Sequence, residues 1–199
     1  MSEQWYRLSV VMDDDFKTFF ANASDFNGVD SYDLQKGRRI DAWNRGSCLL
    51  STSSRFDGPL TDVISESPNL LAFSERLSRS LKHANVAAED IQYLPIKIYR
   101  STGEMIEGYS LINVLARLEA LDRERCFMLR ENLEENDPQT GKPDVEGIGK
   151  PALRSHVITG HDMIRLTEFF PPIFVSQRFA DVFRSGGFTG AAFQLIPTN

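Results

Sequence analysis

One short pattern is written twice in this chain, about a hundred residues apart, and it restricts the fold more than any other feature. Phe73–Ile96 reads FSERLSRSLKHANVAAEDIQYLPI, and Phe174–Pro197 reads FVSQRFADVFRSGGFTGAAFQLIP. Each copy runs from an apolar strand into a serine, a short helix, a turn and a second apolar strand. The serines suit a helix N-cap, where a hydroxyl accepts an orphan backbone N–H. Leu77 and Leu81 in one copy match Phe179 and Phe183 in the other, one helical turn apart, so each helix has one apolar face. Asn85 and Gly186-Gly187 tolerate the left-handed conformation that closes a helix. Arg76 and Arg178 also match, and neither capping nor burial accounts for them. If the two strands of a unit are parallel neighbours, the connection through the helix is right-handed. The duplication predicts an α+β protein with mixed sheets, short helices and two similar strand–helix–strand units, at about 70–99 and 173–196.

Other elements follow from local pattern. Trp5–Met12 is a first strand, rich in β-branched and aromatic residues. The stretch DDDFKTFFANA offers an aspartate-rich helix start, with Phe16, Phe19 and Phe20 on one face. Asp25–Gly46 is turn-rich, with Trp43 as an anchor. Ser47–Ser53 and Ser155–Thr159 read as strands, and from Leu60 the pattern firms as LTDVI leads to Pro68. Pro95 places Ile91–Tyr99 at an edge, or sits where no ladder N–H is needed. Glu107–Asp122 starts as a strand and turns helical around Val114–Leu121. His161–Phe170 reads as a helix ended by Pro171-Pro172. Arg130–Ala152, polar and acidic, reads as an exposed loop.

At 199 residues, with 41% hydrophobic and 25% charged residues, the chain has a globular profile and length enough to bury a core. The expected organisation is one domain over 1–199, or two packed lobes at 1–105 and 106–199. A net charge of −6 argues against nucleic acid and anionic membranes as partners. It suits a cationic protein. Two cysteines are too few for a disulfide scaffold. The N-terminus lacks a secretory leader, and no apolar run reaches the length of a span. The economical location is the cytoplasm.

A search for chemistry finds little. Gly147–Ala152, GIGKPA, has the letters of a dinucleotide fingerprint, but it follows a polar acidic stretch instead of a buried strand. His83, His156 and His161 have no metal-ligand spacing, and there is no nucleophile elbow. Cys126, near Arg123, Arg125 and Arg130, is the least implausible nucleophile, with His161 as its partner. Neither a cofactor nor a metal is expected. Three adjacent carboxylates, Asp13, Asp14 and Asp15, point apart on any regular element, so they read as a solvated or helix-start cluster.

The C-terminal unit closely resembles the closing signature of a bacterial immunity-protein family from polymorphic-toxin systems, formerly a domain of unknown function. The matching features are Phe174–Ser176, Gln177-Arg178, the helix to Ser185 and the turn Gly187–Gly190. Gly108–Cys126, GYSLINVLARLEALDRERC, resembles a central motif of the same family. It departs at Ile112, which precedes Asn113, and at Glu119, where aspartate is common. The resemblance runs from about Leu60 onward. It implies a cytoplasmic, non-enzymatic antitoxin for a secreted effector, of type VI or similar delivery, that acts by stoichiometric binding. A cationic toxin such as a nuclease would suit an acidic binder. The acidic residues Asp13, Asp14, Asp15, Glu134, Glu135 and Asp137 are then the expected contacts. A small enzyme centred on Cys126 or His161, and an adaptor with a non-toxin partner, are the alternatives.

Overall fold

The computed structural model describes residues 4–11, 19–21, 23–51, 53–54, 57–66, 70–136, 141–169 and 172–199. In chain order the elements are β1 (Trp5–Val10), β2 (Ala23–Asp25), α1 (Ser31–Gln35), β3 (Cys48–Leu50), β4 (Val63–Glu66), β5 (Leu70–Ser74) and α2 (Glu75–His83). There follow β6 (Ile91–Tyr99), β7 (Met105–Val114), β8 (Arg117–Leu118), β9 (Phe127–Asn136), β10 (Pro143–Lys150) and α3 (Ser155–Ile158). The chain ends with β11 (Met163–Leu166), β12 (Ile173–Ser176), α4 (Gln177–Ser185) and β13 (Ala191–Ile196). Six strands form one sheet in the order β2-β3-β6-β7-β5-β4, five form another in the order β13-β1-β12-β11-β8, and β9 and β10 pair as a separate hairpin. The fold is α+β with mixed sheets.

The duplicated unit is real and larger than its sequence match. β4 pairs antiparallel with β5, and β11 with β12. β5 and β6 are each antiparallel to β7, which lies between them, so β5 and β6 are parallel but not adjacent. β12 and β13 are likewise parallel, with β1 between them. The premise of parallel neighbours therefore fails in both units: a short helix connects strands separated by one inserted strand. In the first unit the inserted strand follows in sequence. In the second it is β1, the N-terminal strand, which reaches β12 only through tertiary pairing such as Trp5 with Ser176.

Both helices begin as expected. The Ser74 Oγ accepts from the Leu77 N–H at 3.2 Å, and the Ser176 Oγ from the Phe179 N–H at 3.2 Å. Both end alike. The Val86 N–H reaches the Leu81 carbonyl and the Asn85 N–H the Lys82 carbonyl; Phe188 reaches Phe183 and Gly187 reaches Arg184. This pair of bonds closes a helix through one left-handed residue, here Asn85 at φ 50° and Gly187 at φ 61°.

An aspartate joins each helix start to the other unit. Asp62, just before β4, accepts from the Ser74 hydroxyl at 2.7 Å and from Arg76 at 2.7 and 3.2 Å. It also accepts the Thr189 N–H at 2.9 Å, past the end of α4. Asp162, just before β11, accepts from the Ser176 hydroxyl at 2.6 Å, from Arg178 at 3.1 Å and from the Ala87 N–H at 3.0 Å, past the end of α2. The arginines complete the exchange. Arg76 donates to the Gly186 and Gly187 carbonyls, and Arg178 to the Asn85 carbonyl. Each guanidinium thus meets the negative end of the opposite helix.

Between the sheets lies one shared core. Leu71, Phe73, Leu77 and Leu81 of the first unit meet Met163, Val175, Phe179 and Phe183 of the second, with the Phe73 and Phe179 rings 6.1 Å apart. The outer face of the six-stranded sheet is covered by Phe19, Phe26, Leu34 and half-buried Trp43. The outer face of the five-stranded sheet, with Trp5, Ile164 and Phe174, packs under α3 and the hairpin through Ile158, Val145 and Leu129.

Several local expectations are corrected. The described residues of His161–Phe170 hold strand β11 and no helix, because Met163 through Leu166 are buried on both faces of a sheet and so lack a polar face to show periodicity. Val114–Leu121 holds the end of β7 and the short β8. Ser155–Ile158 is helical. Arg130–Ala152 is mostly the β9–β10 hairpin. Short α1 stands inside the turn-rich segment. Pro95 lies in an interior strand, two residues before the pairing with β3 begins at Lys97. The helix start at Asp13–Phe16 lies outside the described residues.

Burial alone would raise the Asp62 carboxyl, but Arg76, the Ser74 hydroxyl and the Thr189 N–H outweigh it and hold the group below its ordinary value. Hydrogen bonds to a buried carboxylate predict that Asp62→Asn and Asp162→Asn each cost about 2 kcal/mol in denaturant unfolding. The arginines add little, since both are more than half exposed. A depressed carboxyl stabilises the fold above its unfolded value of about 3.9 and stops doing so as pH falls through its folded value. The stability gap between wild type and Asp62→Asn should therefore be constant above about pH 4 and close below it.

Candidate functional site

The expected contact residues fall in two classes. Asp13, Asp14, Asp15 and Asp137 lie outside the described residues, and Glu134 and Glu135 are placed in the backbone of β9 only. The expected chemistry is dispersed. His161 holds Asp90 at 2.6 Å, and the same carboxylate accepts the Asp162 and Met163 N–H groups, which fixes the start of β11. Cys126 instead accepts the Ala152 N–H at 3.4 Å. Burial pushes the Cys126 thiol up, against a smaller opposing effect of that hydrogen bond. Gly147–Lys150, the start of GIGKPA, is strand β10, so it opens no helix for a pyrophosphate. Among the described residues no helix is long and apolar enough to cross a membrane.

A groove of about 860 Å³ runs beside α2, over the β6 and β7 strands and the turn at Arg45-Gly46. Its floor includes Pro95, Ile96 and Tyr109, and its walls carry Arg45, Arg79, Lys82 and Lys97 against Glu75 and Glu107. Glu75 is taken by Arg79 at 2.6 Å. Lys82 sits 4.2 Å from the centre of the Tyr93 ring. Among the described residues Arg45, Lys82 and Lys97 form no salt bridge. Burial pushes Tyr93 up to about 12, and burial followed by the nearby Asp62 does the same for Tyr109, so neither phenol adds charge. Ser78, on the α2 wall, is 6% exposed, and its hydroxyl has no hydrogen-bond partner. The groove is thus cationic in a chain whose net charge is −6.

The groove and the two interlocked units describe a scaffold with a surface cleft. A family model described as an immunity protein family, Imm11, matches residues 22–198. The chain belongs to this immunity protein family. No curated protein matches it. The match reaches well upstream of Leu60, where the sequence resemblance begins to be readable. The family's closing signature has a structural explanation in this Imm11 member. Ser176 and Arg178 are ligands of Asp162, and Thr189 is a ligand of Asp62. Gly190, at φ +94°, leaves no room for a Cβ against Thr61 and the Val63 carbonyl of the other unit. Asn113 of the central motif donates to the Arg38 carbonyl and to Gln92, which in turn holds both backbone groups of Ile40. It fastens the segment that leads to Arg45.

Sequence reading missed Asp62 and Asp162 as the centres of the repeat. The signal was present as DVI at Asp62–Ile64 and DMI at Asp162–Ile164. A connector two residues longer in the second unit hides the alignment. With Cys126 and Cys48 both raised by burial, the native thiols should react with a disulfide reagent at pH 8 more slowly than the same thiols in guanidinium. A native rate faster than that of the unfolded thiols would show an activated cysteine.

Proposed function

We propose that this protein is the cytoplasmic antidote to a secreted toxin, which it neutralises by forming a stoichiometric complex. The observation that carries the reading is membership of an immunity protein family over residues 22–198. The side chains that an enzyme would need are engaged elsewhere: His161 serves Asp90 and Cys126 is a raised, half-buried thiol. A binder needs a stable shape more than an activated group, and three buried clusters pack the two sheets here. A toxin from a polymorphic system would be encoded beside the antidote, which gives the partner a place to be sought.

Co-expression with the toxin encoded next to its gene should restore growth and yield a complex that survives size-exclusion chromatography. Absence of both rescue and complex would refute the reading. Cys126→Ala should protect as fully as wild type. A folded Cys126→Ala protein that binds the toxin but no longer protects would point to chemistry instead of binding.

A further inference from the structure

We infer that the groove beside α2 is the toxin-contacting surface and that it receives an acidic segment of the partner, a loop or terminus bearing aspartate or glutamate. This rests on the reading of the protein as a toxin-binding antidote. The inference differs from a charge argument on the whole chain, which favours a cationic partner. Association is steered by the charges where the partner docks, and the groove's lining carries more cations than carboxylates, opposite in sign to the net charge.

Three observations carry it. The first is charge. Arg45, Lys82 and Lys97 converge on one concave surface without an ion pair among the described residues, Glu107 is the one lining carboxylate left to oppose them, and Arg79 is already neutralised by Glu75. Elsewhere the described arginines are commonly engaged: Arg76 by Asp62, Arg100 by Asp57, Arg123 by Glu131 and Arg178 by Asp162. The second is the hydroxyl of Ser78. A buried polar atom without a partner is costly, and such atoms in a native protein call for an explanation. An arriving carboxylate or backbone carbonyl would accept its proton. The third is the floor. Pro95 and Tyr109 offer apolar contact to the stem of an acidic side chain, so the groove combines apolar area with charge, as interface centres do. The Tyr109 hydroxyl is anchored on the Thr61 carbonyl at 2.8 Å, and the Trp43 indole on the Pro95 carbonyl at 2.7 Å. The surface is therefore held in place before a partner arrives.

The test uses the full chain and the toxin encoded beside its gene. The double variant Arg45→Glu, Lys97→Glu should keep the wild-type denaturation midpoint. Its association rate should fall by about tenfold or more at low salt, a deficit that shrinks as salt is raised. Ser78→Ala should weaken the complex through faster dissociation while leaving stability equal or higher, because it removes an unsatisfied buried group. A purely structural Ser78 would instead lower the midpoint and leave binding unchanged. If wild type binds the toxin and both variants bind as well as wild type, the groove assignment is wrong and the antidote reading stands. If wild type does not bind at all, the antidote reading itself falls. Sedimentation of the chain alone supplies the remaining control. A dimer dispersed by Arg45→Glu, Lys97→Glu would make a second copy the occupant and overturn the proposal.

Discussion

The structure depends on two buried aspartates that each hold parts of two units at once. Asp62 and Asp162 receive the cap serine and the arginine of their own helix, and a backbone N–H just beyond the end of the other helix. A carboxylate has about four acceptor positions, and these sites use most of them. The exchange is reciprocal, so neither unit completes its helix ends alone. The energies divide unevenly. Burial of one phenylalanine such as Phe179 contributes about 1.5–3 kcal/mol, and the shared core holds several. The core therefore supplies most of the stability. Hydrophobic contact is non-directional, however, and it does not choose one angle between the helices. The aspartates do, because hydrogen bonds are directional.

This arrangement gives the most recognisable part of the chain a structural role. Ser176, Arg178, Gly187, Thr189 and Gly190 form the junction between units. Changing any of them disturbs the frame that both sheets share. The groove lies on the first unit, on strands and a helix that the junction holds steady, and its cations sit at positions with few packing demands. The N-terminal strand contributes to the same logic. As β1 between β12 and β13, it occupies the place that β7 takes in the first unit.

Legibility followed the range of each interaction. The serine caps, the helical stripes and the left-handed closures were readable, because they are set within four or five residues. Strands β5, β6 and β13 were readable for the same reason. The reading failed at β11, where burial on both faces removed the alternation that marks a strand, and at the β9–β10 hairpin, whose acidic and glycine-rich composition resembles a loop. Arg76 and Arg178 were visible as matched residues without a reason. The reason lies about a hundred residues away, at Gly186 and Asn85.

The sequence by itself determined the class of fold, the existence of a duplicated unit, its helix boundaries and the resemblance to an immunity family. These rest on local propensity and on side-chain spacing along one chain. Only the tertiary structure decided that a strand lies inside each unit, that the N-terminus supplies one of them, that two aspartates bind the units together, and that a cationic groove exists in an acidic protein. Each of those needs residues far apart in sequence to meet, and the free energy that brings them together belongs to the packed whole and not to any segment.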